Sequence, residues 1–126
     1  MSVVFPVGPG EVEARSALED ILGQTWRNLE VAMVLNGASE AVRKSLTGVR
    51  DDRVRFFDLG EEPQLLRALD LAVRETRGAF LARMDSDDRC APERIARTMT
   101  PLLEKEGSVA SCGIELVGAQ GDGMAR

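Results

Sequence analysis

Ala79-Phe80-Leu81-Ala82-Arg83-Met84-Asp85-Ser86-Asp87-Asp88 is a short, mostly apolar run that passes without a break into three carboxylates. Its first half has the length and composition of a strand, and its second half is made of turn formers. On the N-terminal side, Pro63 stands as the first residue of a helix. That helix carries Leu65, Leu66, Leu69, Ala72, Val73 and Thr76 at helical spacing, with Gly78 beyond its end. On the C-terminal side, Pro92 opens a helix through Ile95, Met99, Leu102 and Leu103, which Pro101 is expected to kink. The stretch is a strand set between two helices.

The same alternation extends outward in both directions. Val54 to Leu59 reads as a strand, and Ser39 to Val49 as a weaker helix with Val42, Leu46 and Val49 on its inner face. Val31 to Leu35 is apolar throughout and closed by Asn36-Gly37, which suits a strand covered on both faces. Before it, Val12, Ala14, Ala17, Leu18, Ile21 and Leu22 form a helical stripe that stops at Gly23. Val3 to Val7 is a first strand, ended by Gly8-Pro9-Gly10, and Val109 to Val117 a last one. The order βαβαβαβαβ predicts an α/β fold with a doubly wound, mostly parallel sheet and helices on both faces. At 126 residues the chain suits one domain, expected over 1–117, with 118–126 a glycine-bearing tail expected to fray.

Composition narrows the chemistry. The net charge is −5, from 16 basic and 21 acidic residues, and no Lys/Arg stripe tracks a phosphate backbone, which argues against nucleic acid as a partner. There is no histidine, so Ser-His-Asp and Cys-His catalysis and His-ligated zinc are excluded. Any acid-base or metal chemistry rests mainly on Asp and Glu. Cys90 and Cys112 are too few for a disulfide scaffold, and a reduced, cytoplasmic setting is expected. The start resembles no signal peptide, and no stretch approaches the roughly 18 apolar residues of a membrane span.

In open α/β sheets ligands bind beyond the carboxyl ends of the strands. Three such ends carry polar or glycine-rich turns: Gly8-Pro9-Gly10, Asn36-Gly37-Ala38-Ser39 and Asp85-Ser86-Asp87-Asp88. The last admits two roles. It is a solvated turn capping the next helix, or it is a site where a divalent cation relieves the repulsion of three carboxylates. The apolar strand before it and its place in the alternation favour the cation, and magnesium or manganese suits an all-oxygen site that bridges to phosphates. Other nucleotide signals are absent: Gly8-Pro9-Gly10 does not complete G-x-G-x-x-G, and there is no Gly-Lys-Ser/Thr loop.

Taken in order, these pieces resemble the N-terminal half of a family 2 glycosyltransferase of the GT-A fold. The likeness runs over about 2–117 and rests on Ser2-Val3-Val4-Phe5-Pro6-Val7, Gln24-Thr25-Trp26, Ala68-Leu69-Asp70-Leu71-Ala72, Ala82-Arg83-Met84-Asp85-Ser86-Asp87-Asp88 and Pro92-Glu93-Arg94-Ile95. It implies a domain that binds a nucleotide-diphosphate sugar through a divalent metal at an Asp-x-Asp motif. Asp85, Asp87 and Asp88 would form the metal cluster, with Asp87 the direct ligand. Pro6, Val7, Gly8, Asn36, Arg83, Asp85 and Ser86 would line the donor site. Arg83 stands equally well near the diphosphate or paired with a cluster carboxylate, whereas Gln24 and Trp26 are expected to be packing and turn residues.

The chain departs from the family in three places. Gly8-Pro9 stands where a polar pair is usual, and Leu35-Asn36-Gly37-Ala38 replaces Asp-Asp-Gly-Ser, which removes a carboxylate that reads the base. The family also continues into an acceptor-binding half that carries the general base. Here the carboxylate side chains after the last helix are Glu115, in the last expected strand, and Asp122, in the tail. The acceptor is unknown. The alternative expectation is a non-catalytic α/β interaction module that pairs with a partner or a second copy through its last strand.

Overall fold

The computed structural model describes all residues except 11–12, 118–122 and 126. Four strands form one parallel sheet: β1 (Ser2–Val7), β2 (Glu30–Leu35), β3 (Val54–Asp58) and β4 (Leu81–Arg83). Four helices connect and follow them: α1 (Ala14–Leu22), α2 (Glu40–Thr47), α3 (Leu65–Glu75) and α4 (Arg94–Glu104). The spatial order is β3-β2-β1-β4.

Side-chain alternation decides which helix covers which face. Val3, Phe5 and Val7 of β1 and Val31, Met33 and Leu35 of β2 pack in one core with Ala14, Ala17, Leu18 and Ile21 of α1, Val42 and Leu46 of α2, and Ile95 and Met99 of α4. The intervening Val4, Ala32 and Val34 face the other way, onto Ala68 and Ala72 of α3. Both faces of β1 and β2 are therefore sealed, which is why their sequences are apolar without interruption. The small side chains of α3 let that helix lie close against the sheet. The expected doubly wound architecture with helices on both faces is the one found.

The winding direction reverses at β1. From β1 the chain steps to β2 and then β3, and α3 carries it back across the opposite face to β4 on β1's other side. A right-handed crossover that changes direction must change face. The carboxyl ends of β1 and β4 are therefore the switch point of the sheet, where such folds open a crevice.

Pro6 is tolerated within the central strand for a local reason. The Val4 carbonyl accepts from the Met84 N–H, and the Val7 carbonyl accepts from the Asn36 N–H, so alternate residues of β1 address β4 and β2. Pro6 belongs to the set that addresses β4, but β1 pairs with β4 only through Ser2–Val4. The missing N–H thus falls where no partner strand runs, and it costs no ladder bond.

Three sequence expectations need correction. Val109 to Val117 does not extend the parallel sheet: only β5 (Glu115–Val117) is a strand, and it pairs antiparallel with β6 (Gly123–Ala125) in a separate ribbon. The open edge beside the crevice is β4. Pro63 is not the first helical residue either, because α3 begins at Leu65 with Gln64 as its cap. The Gln64 N–H donates to Asn36 Oδ1 at 2.6 Å, and this long-range bond sets where the helix starts. Nor does Pro92 open the next helix, since α4 begins at Arg94 with Glu93 as its cap; Pro101 lies within it. Val12 and the tail segment 118–122 lie outside the described residues.

Candidate functional site

The acid turn is held from two sides. From α4, Arg94 donates through Nη2 to the Arg83 carbonyl at 2.9 Å, with Nη1 3.1 Å from Met84 Sδ. From α1, Asp20 accepts from Arg89 Nε at 2.6 Å and from the Cys90 N–H at 3.1 Å, and its carboxyl is held below its ordinary value chiefly by the Arg89 guanidinium. Gln24 completes the clamp. Fully buried, it donates to the carbonyls of Asp20 and Ala91 and accepts from the Ile95 N–H in the first turn of α4. Gln24 is a structural residue, and Trp26, which donates to the Asn28 carbonyl while packing on the core, is another.

Between these anchors the chain turns tightly, with the Asp88 N–H donating to the Asp85 carbonyl at 3.2 Å. One carboxylate oxygen from each of Asp85, Asp87 and Asp88 lies within 4.8 Å of the others. Asp85 is half-buried, and Asp87 and Asp88 are exposed. Although Asp88 reaches solvent, the protein around it and the charges of Asp87 and Asp85 push its carboxyl above the ordinary value, against a smaller pull from Arg94. Three converging oxygen donors whose mutual repulsion is only partly relieved are a set that a hard divalent cation fits.

These carboxylates border a cleft of about 290 Å³ at the ends of β1 and β4, lined by Pro6, Gly8, Pro9, Asn36, Leu65, Arg83, Asp85, Ser86 and Asp87. Of the residues singled out from sequence, Pro6, Gly8, Asn36, Arg83, Asp85, Ser86 and Asp87 meet there. Val7 does not line it, because its side chain is buried in the core under α1. Asp88 belongs to the carboxylate cluster without lining the cleft. Arg83 donates through Nε to Asp85 at 3.0 Å and remains half-exposed. Asn36 is nearly buried, its Oδ1 committed to Gln64.

Pro9 and Leu65 also line the cleft. Pro9 belongs to the Gly8-Pro9-Gly10 turn already marked in the sequence, but nothing local marks Leu65, which α3 delivers from the opposite face of the sheet. Arg94 was visible only as part of the Pro92-Glu93-Arg94 motif, and its grip on the strand preceding the turn explains that motif physically.

A parallel sheet wound in the order 3-2-1-4, with an acidic turn at its switch point, defines a doubly wound α/β protein with a crevice at the ends of its strands. The family model described as Glycosyl transferase family 2 matches residues 2–126, and the chain belongs to that family. It is 30% identical over 125 residues to the O-antigen biosynthesis glycosyltransferase WbnJ of Escherichia coli, covering 97% of this chain and 49% of that protein. An uncharacterized glycosyltransferase of Rickettsia typhi is 24% identical, covering 93% of this chain and 37% of its own length. The chain thus spans half or less of these two relatives. Among solved structures, S. aureus TarS 1-349 superposes with a TM-score of 0.73 at 19% identity, over 82% of this chain and 32% of that one. The same protein in complex with UDP-GlcNAc gives 0.71 at 17% identity, over 88% of this chain and 36% of that one.

Proposed function

We propose that this chain is the donor-binding half of a glycosyltransferase, taking a nucleotide-diphosphate sugar into the cleft between the ends of β1 and β4. What carries this is the convergence of Asp85, Asp87 and Asp88 at the switch point of a family 2 chain. The TarS structures that share the fold were solved with UDP-GlcNAc and with UDP, which supports a uridine nucleotide.

In this assignment Asp85, Asp87 and Asp88 hold magnesium or manganese, with Asp87 nearest the ion. Bound there, the cation neutralises the diphosphate and favours its departure as a leaving group. The backbone of Pro6 and Gly8 flanks the base and ribose, while Asn36 offers its amide Nδ2 as a donor. Arg83, which donates to Asp85 and lines the cleft, would offer its remaining N–H groups to the diphosphate. Localisation in the cytoplasm is proposed from the absence of any disulfide framework in the sequence. No helix among the described residues is long and apolar enough to cross a membrane.

Calorimetric titration with uridine diphosphate tests the assignment. Binding is expected with manganese and not with chelator, and Asp87→Ala should weaken it by more than tenfold, about 1.4 kcal/mol. If neither uridine nor guanosine diphosphate binds in the presence of manganese, the chain is an interaction module that only shares the fold.

A further inference from the structure

Ser86, the uncharged member of the acid turn, is also its buried one. It is 1% exposed, and its Oγ is shut from solvent with no hydrogen-bond partner among the described residues. Ser2, equally buried, shows the ordinary arrangement: its hydroxyl donates to Glu30 at 2.7 Å and accepts from the Gly78 N–H at 2.8 Å. A sealed hydroxyl without a partner is unfavourable, and alanine at position 86 would avoid that cost with the same backbone. Ser86 also borders the cleft that Asp85 and Asp87 line.

We propose that Ser86 is a positioning residue whose hydroxyl gains its hydrogen-bond partner, an oxygen of the donor's diphosphate, only when the site is loaded. The acceptor is assigned to the diphosphate because the neighbouring carboxylates are otherwise engaged. Asp85 already accepts from Arg83, and in the loaded site Asp85 and Asp87 turn their remaining oxygens to the cation. Part of the nucleotide's binding free energy then comes from satisfying a group the fold leaves unsatisfied. This role presupposes that the cleft binds the donor diphosphate.

The test compares Ser86→Ala with the wild-type chain in three measurements. In the ligand-free chain, Ser86→Ala should raise the urea midpoint with the slope unchanged. Affinity for uridine diphosphate with manganese should fall roughly tenfold, the worth of one hydrogen bond to a charged oxygen. Affinity for manganese alone should not move. Ser86→Cys, which keeps the side chain's shape but donates weakly, should lose nucleotide affinity in the same way. Unchanged nucleotide affinity in both variants overturns the proposal, as does a lowered urea midpoint in Ser86→Ala, which would make the serine structural. A wild-type chain that fails to bind the nucleotide with manganese overturns the donor-site assignment itself, and this role with it.

Discussion

Gln24 shows how one amide can position a site it never touches. It lies at the end of α1, yet its oxygen accepts from the Ile95 N–H of α4 at 3.0 Å and its nitrogen donates to the Ala91 carbonyl at 2.8 Å. Gln24→Ala would leave the Ile95 N–H buried without a partner, at about 1–3 kcal/mol. The urea midpoint should fall accordingly, and uridine diphosphate affinity should fall with it because the acid turn loses its anchor. A variant of wild-type stability would show that the clamp is not needed. Gly78 is another residue set by close approach: a Cβ there would lie 2.5 Å from Ser2 Oγ and 2.9 Å from its nitrogen, so this position of the α3–β4 connection tolerates no side chain.

At the scale of elements, carboxylate–guanidinium pairs tie the connections together, and their titration has a calculable sign. Asp20, Asp51 and Asp58 are held below the ordinary carboxylate value of 3.8 chiefly by Arg89, Arg53 and Arg43 respectively. A lowered folded-state pKa contributes stability that is complete above the unfolded value and is lost as pH falls through the folded one. These pairs should therefore leave stability flat near neutrality and withdraw it below about pH 4. Asp88 has the opposite sign: its raised pKa withdraws stability as pH climbs from 3.8 through the higher value. Urea unfolding at pH 7 should thus find Asp88→Asn more stable than wild type and Asp20→Asn less stable, and at pH 3 both differences should shrink. The same sign for both variants at pH 7 would contradict the assignment of charges around the turn.

Elements also divide by how much of them the chain reveals locally. β1 and β2 are legible because both faces are sealed, so burial writes itself as a continuous apolar run. The Asp85–Asp88 turn is legible because three carboxylates at a strand end need a reason. Val109 to Val117 misleads: Val109 is 95% exposed and Ile114 68%, so apolar residues there signal no covered face. The start of α3 is hidden for another reason, since the bond that fixes it comes from Asn36, 28 positions away. Arg83 left two roles open from sequence. Its bond to Asp85 fills one, and its exposure leaves the other reachable.

For the whole molecule, the decisive fact is where the cleft sits. It opens at the last paired strand on one side of the sheet, beside the edge of β4, where Leu81 is 49% exposed, and α3 presents Leu66 at 82%. Transfer of a sugar to an acceptor hydroxyl needs a base to take the hydroxyl's proton as the bond forms. Among the described residues, the only carboxylates lining the cleft are Asp85 and Asp87. Both are assigned to the cation, and a carboxylate coordinating a cation is a poor proton acceptor. Glu115 lies on β5, in the separate ribbon, and is not among the lining residues. Donor binding and transfer should therefore separate in this 126-residue chain. With manganese present it should bind uridine diphosphate, yet convert no UDP-GlcNAc to glycoside across a panel of sugar and lipid-linked acceptors, as followed by release of the nucleotide and mass of the acceptor. Acceptor-dependent turnover abolished by Asp87→Ala would place a base within these residues and overturn the division. The relatives, which extend to twice this chain's length or more, supply the natural comparison: fused to the remainder of such a protein, the same cleft should gain turnover without gaining nucleotide affinity, because the added half would bring the proton acceptor and leave the carboxylate cluster unchanged.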